Sequence, residues 1–273
     1  VSPARSRASL ARAVPTIAAL AITLGFGSSF GCRGKGGTTE PESHHYDDKE
    51  AALAAFEEPE RDAWAQPAKI VELLEVRPTM DIADIGAGSG YFTRRLATAA
   101  SEGTTYAVDV DADFKSYIEK HREQWGTPNI VTRLAVYEHP LLPVDSVDLV
   151  FISNTYSFLQ DRESYFTAVY KALHKGGRLA VIDWRPDAEC PRALGCPKAS
   201  QRVAKAVARK ELERVGFTVL AEYDFLDYQY FMILGRAADL ESSEAPPAEG
   251  GDPGPGESSA PAAQPPIEAE SQP

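Results

Sequence analysis

Ile82-Ala83-Asp84-Ile85-Gly86-Ala87-Gly88-Ser89-Gly90-Tyr91-Phe92 decides how this 273-residue chain is read. A short apolar strand runs into three glycines at alternate positions, and a helical pattern opens behind them. Glycines at Gly86, Gly88 and Gly90 let the backbone turn tightly and approach a ligand with no Cβ in the way, while the first turn of the helix offers unpaired N–H groups. Asp84 stands at the end of the strand, where ligands bind in open α/β sheets. A plain glycine-rich turn would show the same glycines. Here, however, a second strand, Tyr106-Ala107-Val108-Asp109, follows and itself ends in an acid. An acid about 20 residues past the glycines can accept hydrogen bonds from both hydroxyls of a ribose.

Outward from this segment strands and helices alternate, the signature of a parallel sheet covered by helices on both faces. Strands are predicted at Asp81–Ile85, Thr104–Asp109, Ile130–Ala135, Val147–Ser153, Arg178–Trp184, Thr218–Tyr223 and Tyr228–Leu234. The helices between them are predicted at Tyr91–Ala100, Ala112–Gln124, Arg162–Leu173 and Ser200–Val215. Lys175-Gly176-Gly177 is predicted to close one helix and Gly216 another, since a helix end favours glycine. Only Asp224–Asp227 separates the last two strands, so they must pair antiparallel as a hairpin. Upstream, a helical stretch reaches Phe56 before Glu58-Pro59 breaks it, and Pro67 stands at the first position of another. The fold class is α/β, a doubly wound, mostly parallel seven-stranded sheet.

The glycine spacing separates two kinds of nucleotide binder. A dinucleotide fingerprint runs G-x-G-x-x-G, whereas this chain has Gly86-x-Gly88-x-Gly90 with Asp84 two residues before. Asp84-Ile85-Gly86-Ala87-Gly88-Ser89-Gly90 resembles the first motif of class I S-adenosylmethionine-dependent methyltransferases, and Val108-Asp109 resembles the acid of their second. Leu142–Val150 and Leu173–Leu179 are similar to the approaches to the family's fourth and fifth strands, so the resemblance covers about residues 64–235. It implies a strand order of 3-2-1-4-5-7-6 with strand 7 antiparallel, in keeping with the helix-free hairpin, and S-adenosylmethionine as cofactor. The implied cofactor-binding residues are Asp84, Gly86, Ala87, Gly88, Gly90, Asp109, Val110 and Asn154, with Asp84 as counter-charge to the donor's cationic end. One departure is plain. Many members carry an acid after strand three that meets the adenine amino group, but Leu134-Ala135-Val136-Tyr137 has none, and Glu138 is the nearest.

The first motif says nothing about the methyl acceptor. Candidates lie after strands four and five and in the N-terminal extension: Tyr156, Asp183 and His45 are taken as polar acceptor contacts. A packed tyrosine, a locally paired acid and an exposed linker histidine are the bland alternatives. Arg61-Asp62-Ala63-Trp64 either folds over the donor or belongs to the core. Two other functions stay open: a non-catalytic, membrane-tethered binding protein that keeps the donor fold, and, disfavoured by the glycine spacing, an NAD(P)-dependent oxidoreductase.

Composition sets the outer limits. The formal net charge is −12, and Asp239–Glu270 holds eight carboxylates with no Lys or Arg, so residues 1–236 carry only −4. So mild a charge weighs against a nucleic-acid partner, which calls for a basic patch, and a small-molecule acceptor is expected. Residues 1–32 read as a signal segment: Arg5, Arg7 and Arg12, then an apolar run Val14–Phe26, then Ser29-Phe30-Gly31-Cys32, which resembles a bacterial lipobox. Membrane association follows as an expectation, through a lipidated Cys32 or an uncleaved anchoring helix, although Ser29 and Phe30 depart from the usual lipobox, with a cytoplasmic location if the segment is not a working signal. Such export conflicts with the donor motif, because S-adenosylmethionine is not expected outside the cytoplasm. Residues 33–43 read as a linker, 44–236 as the catalytic domain with its helical extension, and 237–273 as a disordered acidic tail. Cys190 and Cys196 could form a disulfide or stay as free thiols, and two sulfurs with no neighbouring histidine predict no metal.

Overall fold

The computed structural model describes residues 46, 48–190 and 196–244, the side chains of 241–244 excepted. The signal-like segment with Cys32, the linker, His45 and the tail beyond 244 lie outside the described residues.

Seven strands form one sheet: β1 (Ile82–Ile85), β2 (Thr105–Asp109), β3 (Ile130–Leu134), β4 (Val147–Ser153), β5 (Leu173–Trp184), β6 (Phe217–Tyr223) and β7 (Gln229–Arg236). Their order is β3-β2-β1-β4-β5-β7-β6. β1 to β5 are parallel, with Ile82 opposite both Thr105 and Leu149. β7 runs antiparallel between β5 and β6, confirming the predicted hairpin. This insertion sets the sheet apart from the 3-2-1-4-5-6 order of dinucleotide-binding domains.

Alternation along the strands sorts the core into two layers, because successive side chains point to opposite faces. Ala83, Ile85, Val150, Ile152 and Val181 pack beneath Phe166 and Val169 of α6 (Arg162–Ala172) and Ala208 and Leu212 of α7 (Lys205–Val215). Ile82, Leu149, Phe151, Ile182 and Phe231 pack beneath Ile70 of α3 (Pro67–Leu73) and Leu96 of α4 (Thr93–Ala99). All four residues of β1, Asp84 among them, are buried, as in a strand covered on both faces. α5 (Ala112–His121) covers β2 and β3 through Ile118.

Three local expectations are corrected. α6 ends at Ala172 with Leu173 already extended, so Lys175-Gly176-Gly177 does not close it. Instead β4 and β5 pair at Val147–Leu173 and again at Leu149–Arg178, and the intervening residues bulge out with Gly176 at φ +77°. The second correction concerns Ala237, where the disordered tail was expected to start: α8 (Ala237–Glu244) continues from β7. Asp239 anchors it, pairing with Arg236 at 2.7 Å and accepting the Gly176 N–H at 2.8 Å. Third, α7 starts at Lys205 rather than Ser200, behind a separate 3₁₀ turn at Ala199–Gln201. Gly216 does terminate α7, at φ +107°. Cys190 and Cys196 are joined as a disulfide, their Cα atoms 6.4 Å apart.

Candidate active site

The carboxyl ends of the parallel strands open onto a cavity of about 250 Å³. Sheet order lays out its walls. β3 contributes Ala135, Val136 and Tyr137; β2 contributes Asp109, Val110 and Asp111; β1 contributes Gly86, Ala87 and Gly88; β4 contributes Asn154 and Thr155, and β5 Trp184. The neighbouring N-terminal extension closes the cavity with Phe56, Arg61 and Trp64.

At the centre, Asp109 is 9% exposed. Its Oδ2 accepts the Gly88 N–H at 2.8 Å and its Oδ1 the Asp111 N–H at 2.9 Å. A carboxylate has about four acceptor positions, so these two bonds leave acceptor capacity for a ligand hydroxyl. Burial pushes the Asp109 carboxyl up, against the pull of these backbone N–H groups. The glycine loop needs its glycines for different reasons. A Cβ on Gly86 would lie 2.1 Å from Thr155 Oγ1, and φ there is +77°. A Cβ on Gly88 would meet the ring of Phe56 at 3.3 Å. Gly90 does not line the cavity; a side chain there would press on Trp125 and Ile118 behind the loop.

Asp84 is 3% exposed and lies behind the loop, where its Oδ2 accepts the Thr93 hydroxyl at 2.6 Å. Burial pushes its carboxyl up to about 7, with the Thr93 hydroxyl opposing. Such a group is held ready to gain from a nearby cation. Asn154 lines the cavity in the left-handed region at φ +58°, its Oδ1 accepting from Gln229 Nε2 at 2.5 Å.

The extension is clamped to the loop by charge. Glu57 at the end of α1 (Lys49–Phe56) pairs with both terminal nitrogens of Arg94, at 2.9 and 2.7 Å, and accepts the Ser89 hydroxyl at 2.5 Å. Asp62 in α2 (Arg61–Ala65) binds Arg95 and Tyr91, and Lys49 binds Asp111. Pairs this exposed stabilise by about 1 kcal/mol or less each; their chief effect is to fix α1 and α2 over the loop. Phe56, Tyr46 and Phe114 form an aromatic cluster with centroids 5.4–5.7 Å apart, while Trp64 packs on Trp184 at 5.5 Å. Arg61 and Trp64 thus cover the cavity, as one of the two sequence readings had it. The roles of Phe56 and Phe114 went unread, because a single aromatic on a short helix looks like core.

Two of the three acceptor candidates are placed elsewhere, and those expectations are corrected. Tyr156 is fully buried; its ring stacks on Phe166 and its hydroxyl donates to Glu211 at 2.8 Å, while Glu211 also binds Arg162. Asp183 is fully buried, and its Oδ2 accepts the N–H and hydroxyl of Ser157, both at 2.8 Å. Neither lines the cavity. The third, His45, lies outside the described residues.

Residues 83–181 match the model of the Methyltransferase domain family. Residues over 36% of the chain are 33% identical to the malonyl-[acyl-carrier protein] O-methyltransferase of Hahella chejuensis, and the match spans about a third (34%) of that relative's length. The fold is similar to that of an S-adenosylmethionine-dependent methyltransferase from Aquifex aeolicus, with TM-score 0.63 and 19% identity, covering 69% of this chain and 98% of that one. It is also similar to a possible exported protein from Bordetella parapertussis, with TM-score 0.51 and 18% identity, covering 62% and 66%. Residues 83–181 thus match a methyltransferase domain, and the strand order and glycine loop give the described residues the Rossmann-like fold of S-adenosylmethionine-dependent methyltransferases.

S-adenosylmethionine fits the site on this chain's own features. Asp109 has free acceptor positions for a ribose diol, the Gly86–Gly88 backbone approaches the cavity without side chains, and Ala135, Val136, Val110 and Phe114 offer apolar surface to a purine. The acid missing after strand three leaves the adenine to apolar contact there.

Proposed function

We propose that this chain transfers a methyl group from S-adenosylmethionine to a small, largely apolar acceptor, and that its N-terminal segment tethers it to a membrane. One observation carries the first part. The cavity runs from the β3 and β2 ends to the β4 and β5 ends, so one mainly apolar space can take donor and acceptor side by side.

When bound, the donor supplies an electrophilic methyl on a sulfonium. The chain's own residues hold and orient. Asp109 fixes the ribose, the glycine loop lets the backbone close on the amino-acid end, and Trp64, Trp184, Phe158, Leu159 and Thr155 bound the space left for the acceptor. The charged residues lining the cavity, among those described, are Arg61, Asp109 and Asp111. Asp109 is assigned to the ribose and Asp111 is paired with Lys49, so the rate arises mainly from proximity and orientation, on an acceptor that reaches the site with its nucleophile ready. A test is to incubate the protein with methyl-labelled S-adenosylmethionine and a deproteinised small-molecule extract. Label in an apolar product supports the reading. Donor binding with no label in any acceptor favours the non-catalytic alternative.

The membrane tether rests on Arg5, Arg7, Arg12, the Val14–Phe26 run and Cys32. No helix among the described residues is long and apolar enough to cross a membrane; attachment is assigned to a lipid on Cys32 because Ser29-Phe30-Gly31-Cys32 is lipobox-like. The Bordetella protein offers a precedent in name for this fold on an exported chain. Mass spectrometry of the mature N-terminus should find residue 32 lipidated and first; soluble protein retaining residue 1 would refute the tether.

A further inference from the structure

α2 brings two N–H groups to the cavity that have no hydrogen-bond partner among the described residues. Arg61 and Trp64 lie one helical turn apart and both line it. Arg61 Nε and Trp64 Nε1 are shut off from solvent with no hydrogen-bond partner. One terminal nitrogen of Arg61 donates to the Phe56 carbonyl at 2.7 Å, and the guanidinium lies 3.8 Å from the centroid of the Tyr91 ring. Among the described residues Arg61 makes no ion pair, although Glu57, Asp62 and Asp84 are all close by. Glu57 is taken by Arg94, and Asp62 by Arg95 and Tyr91. A buried donor left unpaired is costly, more so if charged, so two such donors on one cavity wall point to an anionic ligand.

We infer that Arg61 and Trp64 form a carboxylate-binding site, and that the carboxylate is the one on the amino-acid end of the donor. Two N–H donors, one of them cationic, suit a planar anion with two acceptor oxygens. The position selects the donor over the acceptor. Arg61 is near enough to the buried Asp84, at the end of β1, for each to feel the other's charge. A cation on the cavity wall and an anion behind the loop complement a zwitterion, with Arg61 toward the carboxylate and the ammonium on the Asp84 side. The site lies in the N-terminal extension, outside residues 83–181, and deepens the donor reading on which it rests.

The test is calorimetric and needs no acceptor. Wild-type protein is titrated with S-adenosylhomocysteine, which carries the amino-acid end, and with 5′-methylthioadenosine, which lacks it. S-adenosylhomocysteine should bind at least about tenfold tighter, and Arg61→Gln should remove that advantage, a loss of about 1.4 kcal/mol or more. Trp64→Phe keeps the packing on Trp184 and should remove part of it, while methylthioadenosine affinity stays put in both variants. Circular dichroism and Tm establish that the variants are folded. Equal binding of the two ligands by wild type, or undiminished S-adenosylhomocysteine affinity in folded Arg61→Gln, would overturn the assignment while leaving the donor reading intact. Failure of wild type to bind either ligand would overturn both.

Discussion

The β1–β2 end of the sheet and the β4–β5 end look alike in sequence: each has a strand ending in an acid, followed by a turn. They have opposite fates. Asp109 takes its N–H partners from Gly88 and Asp111, part of the wall that faces the cavity, and keeps acceptor positions for a ligand. Asp183 is met from across the sheet by the 3₁₀ turn Tyr156–Phe158, whose Ser157 saturates Oδ2, while the Trp184 N–H takes Oδ1 at 2.7 Å. Asp109 therefore reads as a ligand group, and Asp183 as a bracket that holds the Thr155–Leu159 segment against β5. An acid at a strand end shows where a ligand can bind; which neighbour claims it depends on contacts far apart in sequence.

The largest expected effect breaks the donor side of this contrast. Gly86→Val places a branched side chain on Thr155 in a backbone conformation that L residues rarely adopt. S-adenosylhomocysteine affinity should fall on the order of a hundredfold or more, about 2.7 kcal/mol. Gly88→Val should lose less: its φ of +54° is strained for an L residue as well, but an added Cβ would meet the Phe56 ring at 3.3 Å rather than Thr155 at 2.1 Å. Equal losses would mean that Thr155 gives way as readily as Phe56.

pH separates the buried acids next. A carboxyl raised by burial holds a proton in the folded state that the unfolded chain has already lost. Its contribution to stability is thus greatest below the ordinary value of 3.8, falls as pH rises through the window up to the folded value, and is lowest above it. For Asp84 the window ends at about 7, and for Asp183 at about 6. In the ligand-free protein Asp84→Asn should flatten the decline between pH 4 and 7 by up to about 1.4 kcal/mol per pH unit. Asp183→Asn should act only at the lower part of that range. Urea denaturation across pH reads both; an unchanged slope in Asp84→Asn would show its carboxylate to be well solvated.

Tyr156→Phe tests the other side. It removes one hydrogen bond to Glu211, which keeps Arg162, so stability should fall by about 1 kcal/mol with donor affinity unchanged. A large loss of methyl transfer at unchanged Tm would restore Tyr156 as an acceptor contact. Smallest of all, removing residues 245–273 should leave Tm nearly unchanged, by their composition. Removing residues from 237 onward should lower it measurably, because Asp239 then no longer binds Arg236 and Gly176.

What the sequence made legible follows the same division. The hairpin and the glycine turn could be read because backbone geometry allows few residues at those points, while the strand order followed from the family resemblance. Gly86 needs a positive φ, and a strand pair joined by Asp224–Asp227 has no room to cross over. Gly90 shared the pattern of Gly86 but serves packing against Trp125, a difference that spacing alone does not carry. The acceptor side was misread because Tyr156 and Asp183 owe their burial to Glu211 and Ser157. Arg61 and Trp64 were visible as residues, but their significance lies in unpaired N–H groups, which only a three-dimensional contact map reveals.

The central claim is that Asp109 and the glycine loop hold S-adenosylmethionine rather than a dinucleotide. Calorimetric titration of wild type and Asp109→Ala with S-adenosylhomocysteine and with NAD tests it most directly. Wild type should bind S-adenosylhomocysteine and give no heat with NAD, and Asp109→Ala, confirmed as folded, should bind at least about tenfold more weakly through loss of charge-assisted hydrogen bonds. Tight NAD binding without a response to S-adenosylhomocysteine would contradict the assignment, and unaltered affinity in Asp109→Ala would contradict the role given to that carboxylate.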